Sequence, residues 1–172
     1  MPAPGLFRDG HIIAPMPKPY VMQQSRAIPV DVDEAFARTL AMSLPAIFKR
    51  RYGPIAPVKA VSGQTGDWDA VGQTRTVSQV GGGSTREELT TLDRPHAFGY
   101  TLADIKGPLA QLVDHVVGEW RFAPAGTGTK VTWSWTVYPK SAPAALAMPA
   151  FARMWRGFAR QSLEQLSDEL VS

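Results

Sequence analysis

PAFARMWRGFARQSLEQLSDEL, residues Pro149 to Leu170, is the stretch on which the fold turns. At 3.6 residues per turn it places Phe151, Trp155, Phe158, Ala159, Ser162, Leu163, Leu166 and Leu170 on one stripe. Arg153, Arg156, Arg160 and Glu164 fall on the other side, and Met154 lies at the stripe's edge. Pro149 suits a first helical turn, where a missing N–H costs nothing, and it disfavours helical geometry at Met148. The reading therefore starts the helix at Pro149, with Met148–Pro149 as its hinge, and gives it a length of roughly 33 Å. Three large aromatics on such a helix need a broad apolar partner. Everything before it reads as short elements, so a sheet gripping one long terminal helix is the expected architecture.

Working back along the chain, residues 1–19 form a Pro-rich leading segment, expected to be extended. Residues 20–172 read as a single domain. Tyr20–Ile28 is the first strand. Asp31 followed by Glu34 is a helix-start signal resembling a capping box, and the helix behind it buries Val32, Phe36 and Leu40. A second short helix is expected over Leu44–Arg51, ahead of Gly53-Pro54. From Ile55 the period changes from 3.6 to 2, with strands read at Ile55–Ser62, Gly72–Val80, Ser84–Asp93, Ala97–Asp104, Val113–Ala123 and Lys130–Tyr138. The links between them are too short for crossovers, so consecutive strands should pair antiparallel as a meander. The Gly81-Gly82-Gly83-Ser84-Thr85 run lacks the Lys and the following helix of a phosphate loop, and reads as a hairpin turn.

The totals narrow the function class. A chain of 172 residues with 44% apolar and 19% charged residues is long enough to bury a real core. Its net charge is +3, with a sequence pI near 9.4. The one basic cluster, Lys49-Arg50-Arg51, reads as a solvated helix end, so no nucleic-acid partner is expected. Without cysteine, disulfides, thiolate zinc sites, iron–sulfur clusters and a cysteine nucleophile are excluded. No apolar run approaches the ~18 residues of a membrane span, and the first twenty residues do not resemble a signal peptide. A cytoplasmic protein without stable membrane insertion is expected, either monomer or homodimer.

Strand alternation identifies the inward faces. Val131, Trp133, Trp135 and Val137 alternate with Thr132, Ser134 and Thr136. Val116, Gly118, Trp120 and Phe122 share a face in the preceding strand, as do Phe98, Tyr100 and Leu102 two strands back. So many rings facing Phe151, Trp155 and Phe158 make either a solid aromatic core or a core that leaves a void.

The order of these elements resembles the SRPBCC superfamily, the START-like or birch-pollen-allergen-like helix-grip proteins, and within it the polyketide cyclase/dehydrase-like branch. The resemblance rests on Ile28-Pro29-Val30-Asp31-Val32-Asp33-Glu34-Ala35-Phe36, on Glu87-Glu88-Leu89-Thr90-Thr91-Leu92-Asp93-Arg94-Pro95 with Tyr100 after it, on Trp120-Arg121-Phe122-Ala123-Pro124, on Gly128-Thr129-Lys130-Val131-Thr132-Trp133 and on the terminal helix. It covers Val21 to Leu170. It implies an α+β helix-grip fold: a curved antiparallel sheet of about seven strands wrapped around a long C-terminal helix, with two short helices after the first strand. It also implies an apolar cavity between sheet and helix.

On that basis the expected partner is a hydrophobic small molecule: lipid-, polyketide- or aromatic-like. The candidate binding residues are Phe98, Tyr100, Trp120, Trp133, Trp135, Phe151, Met154, Trp155 and Phe158. A cyclase- or dehydratase-like enzyme in the same cavity is the alternative, with Glu87 and Tyr100 as acid/base candidates; a non-catalytic interaction domain with a filled core is the third reading. Glu87 is either an inward carboxylate of raised pKa or the ion-pair partner of Arg75 or Arg86. Tyr100 either offers its hydroxyl to a ligand carbonyl or is a satisfied core residue. Asp104 either borders the cavity mouth or ends its strand. His11, His96 and His115 show no metal-ligand spacing, so neither metal nor cofactor is expected, and no Ser sits on a nucleophile elbow.

Overall fold

The computed structural model describes residues 7–8, 11–12 and 16–172. Two short strands, β1 (Phe7–Arg8) and β2 (His11–Ile12), pair antiparallel. The rest of the expected extended segment before residue 16 lies outside the described residues.

The main elements follow as β3 (Tyr20–Ile28), α1 (Val32–Ala41), α2 (Leu44–Ile47), β4 (Val58–Ser62), β5 (Thr74–Gln79), β6 (Ser84–Asp93), β7 (Ala97–Lys106), β8 (Val113–Ala125), β9 (Gly128–Pro139) and α3 (Ala142–Val171). The sheet has seven antiparallel strands in the order β3-β9-β8-β7-β6-β5-β4. The meander from β4 to β9 is the expected one. What closes it is β3, which skips its sequence neighbour β4 and zips onto β9, with Tyr20 opposite Val137 and Ile28 opposite Thr129. The two short helices bridge the open side between β3 and β4.

Local chemistry explains most of these boundaries. Asp31 caps α1 by accepting the Glu34 backbone N–H at 3.0 Å. The reciprocal half of the expected capping box is missing, because the Glu34 carboxylate pairs instead with Arg38 one turn on, at 3.1 Å. Arg38 also donates to the Glu169 and Leu170 carbonyls, both at 2.7 Å, which ties α1 to the last turn of α3 and satisfies carbonyls that end a helix unpaired. The second helix ends at Ile47, short of the expected Arg51, since Phe48 leaves helical geometry at φ −100°, ψ 53°. β4 begins at Val58 rather than Ile55: Pro57 has no N–H for a ladder, and Ile55 is taken by a bridge to Tyr52.

The long helix is the main correction. It starts at Ala142, seven residues before Pro149, with Ser141 as N-cap accepting the Ala144 N–H at 3.2 Å and Pro143 in the first turn. Pro149 lies inside the helix on an exposed position, and Met148 is fully buried in mid-helix, so there is no hinge there. The apolar stripe begins at Ala144 and Met148. It escapes notice from sequence because Pro149 reads as a helix start, and because Leu146, a large aliphatic residue of those first turns, faces solvent. Thirty residues give a rod of about 45 Å.

Candidate functional site

Between the concave face of the sheet, α1–α2 and α3 lies a cavity of about 460 Å3. That is within the ~300–1,000 Å3 of ordinary small-molecule sites. All nine positions read from sequence as a binding wall line it: Phe98 and Tyr100 from β7, Trp120 from β8, Trp133 and Trp135 from β9, and Phe151, Met154, Trp155 and Phe158 from α3. The rings do touch, but they form a wall rather than a plug. Trp133 stacks on Trp120 at 5.3 Å between centroids and tilts against Trp155 at 4.8 Å and Phe48 at 5.1 Å.

Sequence reasoning missed the floor of the cavity. Met42, Leu44, Ile47 and Phe48 of the short helices and Leu109 and Leu112 after β7 also line it. The second short helix carried no readable period, because α2 is a single turn. Trp68 was missed as well. It sits in the loop before β5 at φ 58°, is buried, and lies under the Arg75 guanidinium at 3.8 Å.

Arg75 and Glu87 face each other directly across β5 and β6 on the inner side of the sheet. Arg75 Nε donates to Glu87 Oε2 at 3.1 Å and Nη2 donates to Oε1 at 3.3 Å, a two-point pair with both side chains under 10% exposed. Both sequence-level alternatives for Glu87 therefore hold: it points inward, and Arg75 is its partner. Burial is the larger influence and pushes the Glu87 carboxyl above its usual range, against the pull of the Arg75 charge and hydrogen bonds. The shared parity of Glu87, Leu89 and Thr91 breaks at a bulge after Leu89, which leaves Thr91 exposed.

Tyr100 lies across Gly118, its register partner on β8. A Cβ at position 118 would overlap the tyrosine ring, so only glycine leaves the ring its berth. The phenol oxygen reaches β9, where it accepts Trp133 Nε1–H at 2.7 Å and Trp135 Nε1–H at 2.9 Å. Burial foremost, then the Glu87 charge, pushes the phenol's pKa up despite those two bonds, so the hydroxyl keeps its proton.

Two buried polar atoms of the cavity wall have no partner among the described residues, Thr39 Oγ1 and Trp155 Nε1. Asp104 is not part of the wall. It is an exposed residue at φ 48° within β7, which runs on to Lys106, beside a bulge in the β6–β7 ladder. His115 stacks on Tyr138 at 4.1 Å, away from the cavity lining. Among the described residues no three His, Asp or Glu side chains gather as a metal site, and no helix is long and apolar enough to cross a membrane.

Comparison with known proteins fits this geometry. A family model described as polyketide cyclase / dehydrase and lipid transport matches residues 20–171. No curated protein sequence matches significantly. Several solved structures share the fold at low identity. Norcoclaurine synthase from Thalictrum flavum, in complex with dopamine and hydroxybenzaldehyde, has a TM-score of 0.67 at 16% identity, covering 89% of this chain and 87% of that one. The ginseng major latex-like protein 151 from Panax ginseng gives 0.64 at 14% identity, over 91% of this chain and 100% of the other. Ara h 8.0201 gives 0.65 at 13% identity, over 89% and 98%.

Proposed function

This chain belongs to the polyketide cyclase / dehydrase and lipid transport family, within the SRPBCC superfamily, and from that premise we propose that it binds a hydrophobic, ring-bearing small molecule between its sheet and its long helix. The observation that carries the proposal is the cavity itself: about 460 Å3, walled by tryptophan, phenylalanine and aliphatic side chains, with few ionisable groups. Transfer of an apolar molecule from water into such a space is favourable by roughly 25 cal/mol per Å2 of apolar surface covered. Flat rings gain further from offset and edge contacts with Trp120, Trp133 and Trp155. The nine wall residues named above are proposed as the contact set, with Phe151, Met154, Trp155 and Phe158 as the ceiling supplied by α3.

The same cavity as a cyclase or dehydratase site has one feature in its favour, the buried Glu87 carboxyl with its raised pKa. Its two-point grip by Arg75 fixes the carboxylate in place beside a cation, which suits a wall better than a proton shuttle. Binding is therefore the conclusion.

Native mass spectrometry of freshly purified protein is expected to show a co-purifying mass of a few hundred daltons. Titration with aromatic polyketides, sterols and fatty acids should raise the melting temperature and quench the cavity tryptophans for at least one class. No bound mass, no quenching and no thermal shift across that panel would leave the filled-core interaction domain as the better reading.

A further inference from the structure

A phenol carries two lone pairs and one proton, whereas an indole N–H can only donate. At Tyr100 both lone pairs are occupied, by Trp133 Nε1–H at 2.7 Å and Trp135 Nε1–H at 2.9 Å. Neither tryptophan can receive the phenol's proton, and among the described residues no other group does. Glu87, the acid nearest in register, is no acceptor for it. Tyr100 stands opposite Leu89, two residues from Glu87 along β6, and its ring runs the other way, over Gly118 toward β9. Arg75 is the one side-chain partner that Glu87 takes among the described residues, and no bond joins it to Tyr100. Tyr100 is 6% exposed, and it lines the cavity. The acceptor for its proton has to come from the cavity's contents.

We infer that Tyr100 is a dedicated hydrogen-bond donor to the ligand, and that the cavity selects ring compounds bearing an oxo group over the matching hydrocarbons and alcohols. The inference rests on the binding role proposed above and adds the ligand's polar chemistry. An oxo oxygen needs only to accept. An alcohol can lend its oxygen to Tyr100, but its own proton then needs a second acceptor, which the phenol oxygen, with no lone pair left, does not supply. A hydrocarbon displaces the water that would otherwise satisfy the phenol and offers nothing in return. The two indole donors also polarise the O–H bond they hold, which strengthens it toward a third partner. The two tryptophans thus act as positioning residues, turning an amphoteric hydroxyl into a one-way donor.

The test uses the whole chain and three probes of one tricyclic frame: fluorene, fluorenol and fluorenone, each competed against an anilinonaphthalene sulfonate dye. Fluorenone is expected to bind about tenfold more tightly than fluorene, the worth of one neutral hydrogen bond, with fluorenol between them. The carbonyl stretching band of bound fluorenone should move to lower wavenumber. In Tyr100→Phe, which keeps the ring over Gly118, both the preference and the band shift should be lost. In Trp135→Phe a lone pair on Tyr100 is freed, and fluorenol should gain on fluorenone. Equal affinity for the three probes in the parent protein overturns the inference and leaves the binding role standing. Full preference in Tyr100→Phe assigns the donor elsewhere and also overturns it. If none of the probes binds, the binding role itself fails, and this inference with it. Should Tyr100→Phe not fold, the band position in the parent and the Trp135→Phe comparison decide the matter.

Discussion

Replacing the Arg75–Glu87 pair separates what holds the cavity wall from what acts in it. Two charges taken out of water lose hydration that their mutual attraction repays only in part. Here the geometry is a two-point contact, and the Arg75 guanidinium also lies over the Trp68 ring at 3.8 Å. Glu87→Leu strands the guanidinium in an apolar wall and should cost about 3–5 kcal/mol. For a domain of this size that is a fall in melting temperature of roughly 6–20 °C. The double variant Arg75→Met/Glu87→Leu removes both desolvated charges, a change worth about 1–4 kcal/mol in the favourable direction. It also loses the contact with Trp68, worth about 2 kcal/mol when desolvated. It should therefore fall within about 2 kcal/mol of the parent, far above the single variant. Urea unfolding followed by tryptophan fluorescence reads all three. A Glu87→Leu cost below about 1 kcal/mol, or a double variant no better than that single one, would refute the pair as a coupled buried unit.

The pH dependence gives the sign independently. Burial raises the folded-state pKa of Glu87 above its ordinary value of 4.5. The stability tied to its protonation is fully present below pH 4.5 and is lost as the pH rises through the higher folded value. Measured against Glu87→Gln, which cannot ionise and still offers Arg75 one acceptor, the parent should lose ground as the pH climbs from 4.5. A gap that opens the other way would mean that Arg75 outweighs desolvation. The same Glu87→Gln protein should bind apolar ligands as the parent does. If a cyclisation or dehydration activity is found in this cavity and survives in that variant, Glu87 has no part in it.

Two other substitutions probe the frame. Gly118→Ala drives a methyl group into the Tyr100 ring, so the ring must leave the sheet and give up its two indole bonds; a loss of about 1–3 kcal/mol and a changed tryptophan emission spectrum are expected, and parental values for both would show the berth to be dispensable. Pro149→Ala restores an N–H for the Ala145 carbonyl on an exposed helix position and should raise stability by about 1–3 kcal/mol in thermal melts, whereas a loss would mean that the helix is built around the proline.

The sequence by itself determined which faces look inward. Clean alternation in β8 and β9 and the stripe from Phe151 to Leu170 report burial directly, because each period belongs to one backbone geometry and local sterics set it. Strands such as Tyr20–Ile28 and Ser84–Asp93 are bounded by turn residues that act locally, and they stand where the alternation puts them. Tertiary structure decided what local rules do not carry. The helix start moved to Ala142 because burial of Ala144 and Met148 extends it through Pro149, at a cost that packing covers. The closing of β3 onto β9 needs contacts more than one hundred residues apart along the chain, as in Ser25 with Thr132 at 2.8 Å. The cavity is the clearest case. Alternation puts Trp120 and Trp133 out of water and the helical stripe does the same for Trp155, but a void is the difference between a curved sheet and the helix it holds. Only the assembled curvature leaves about 460 Å3 between them.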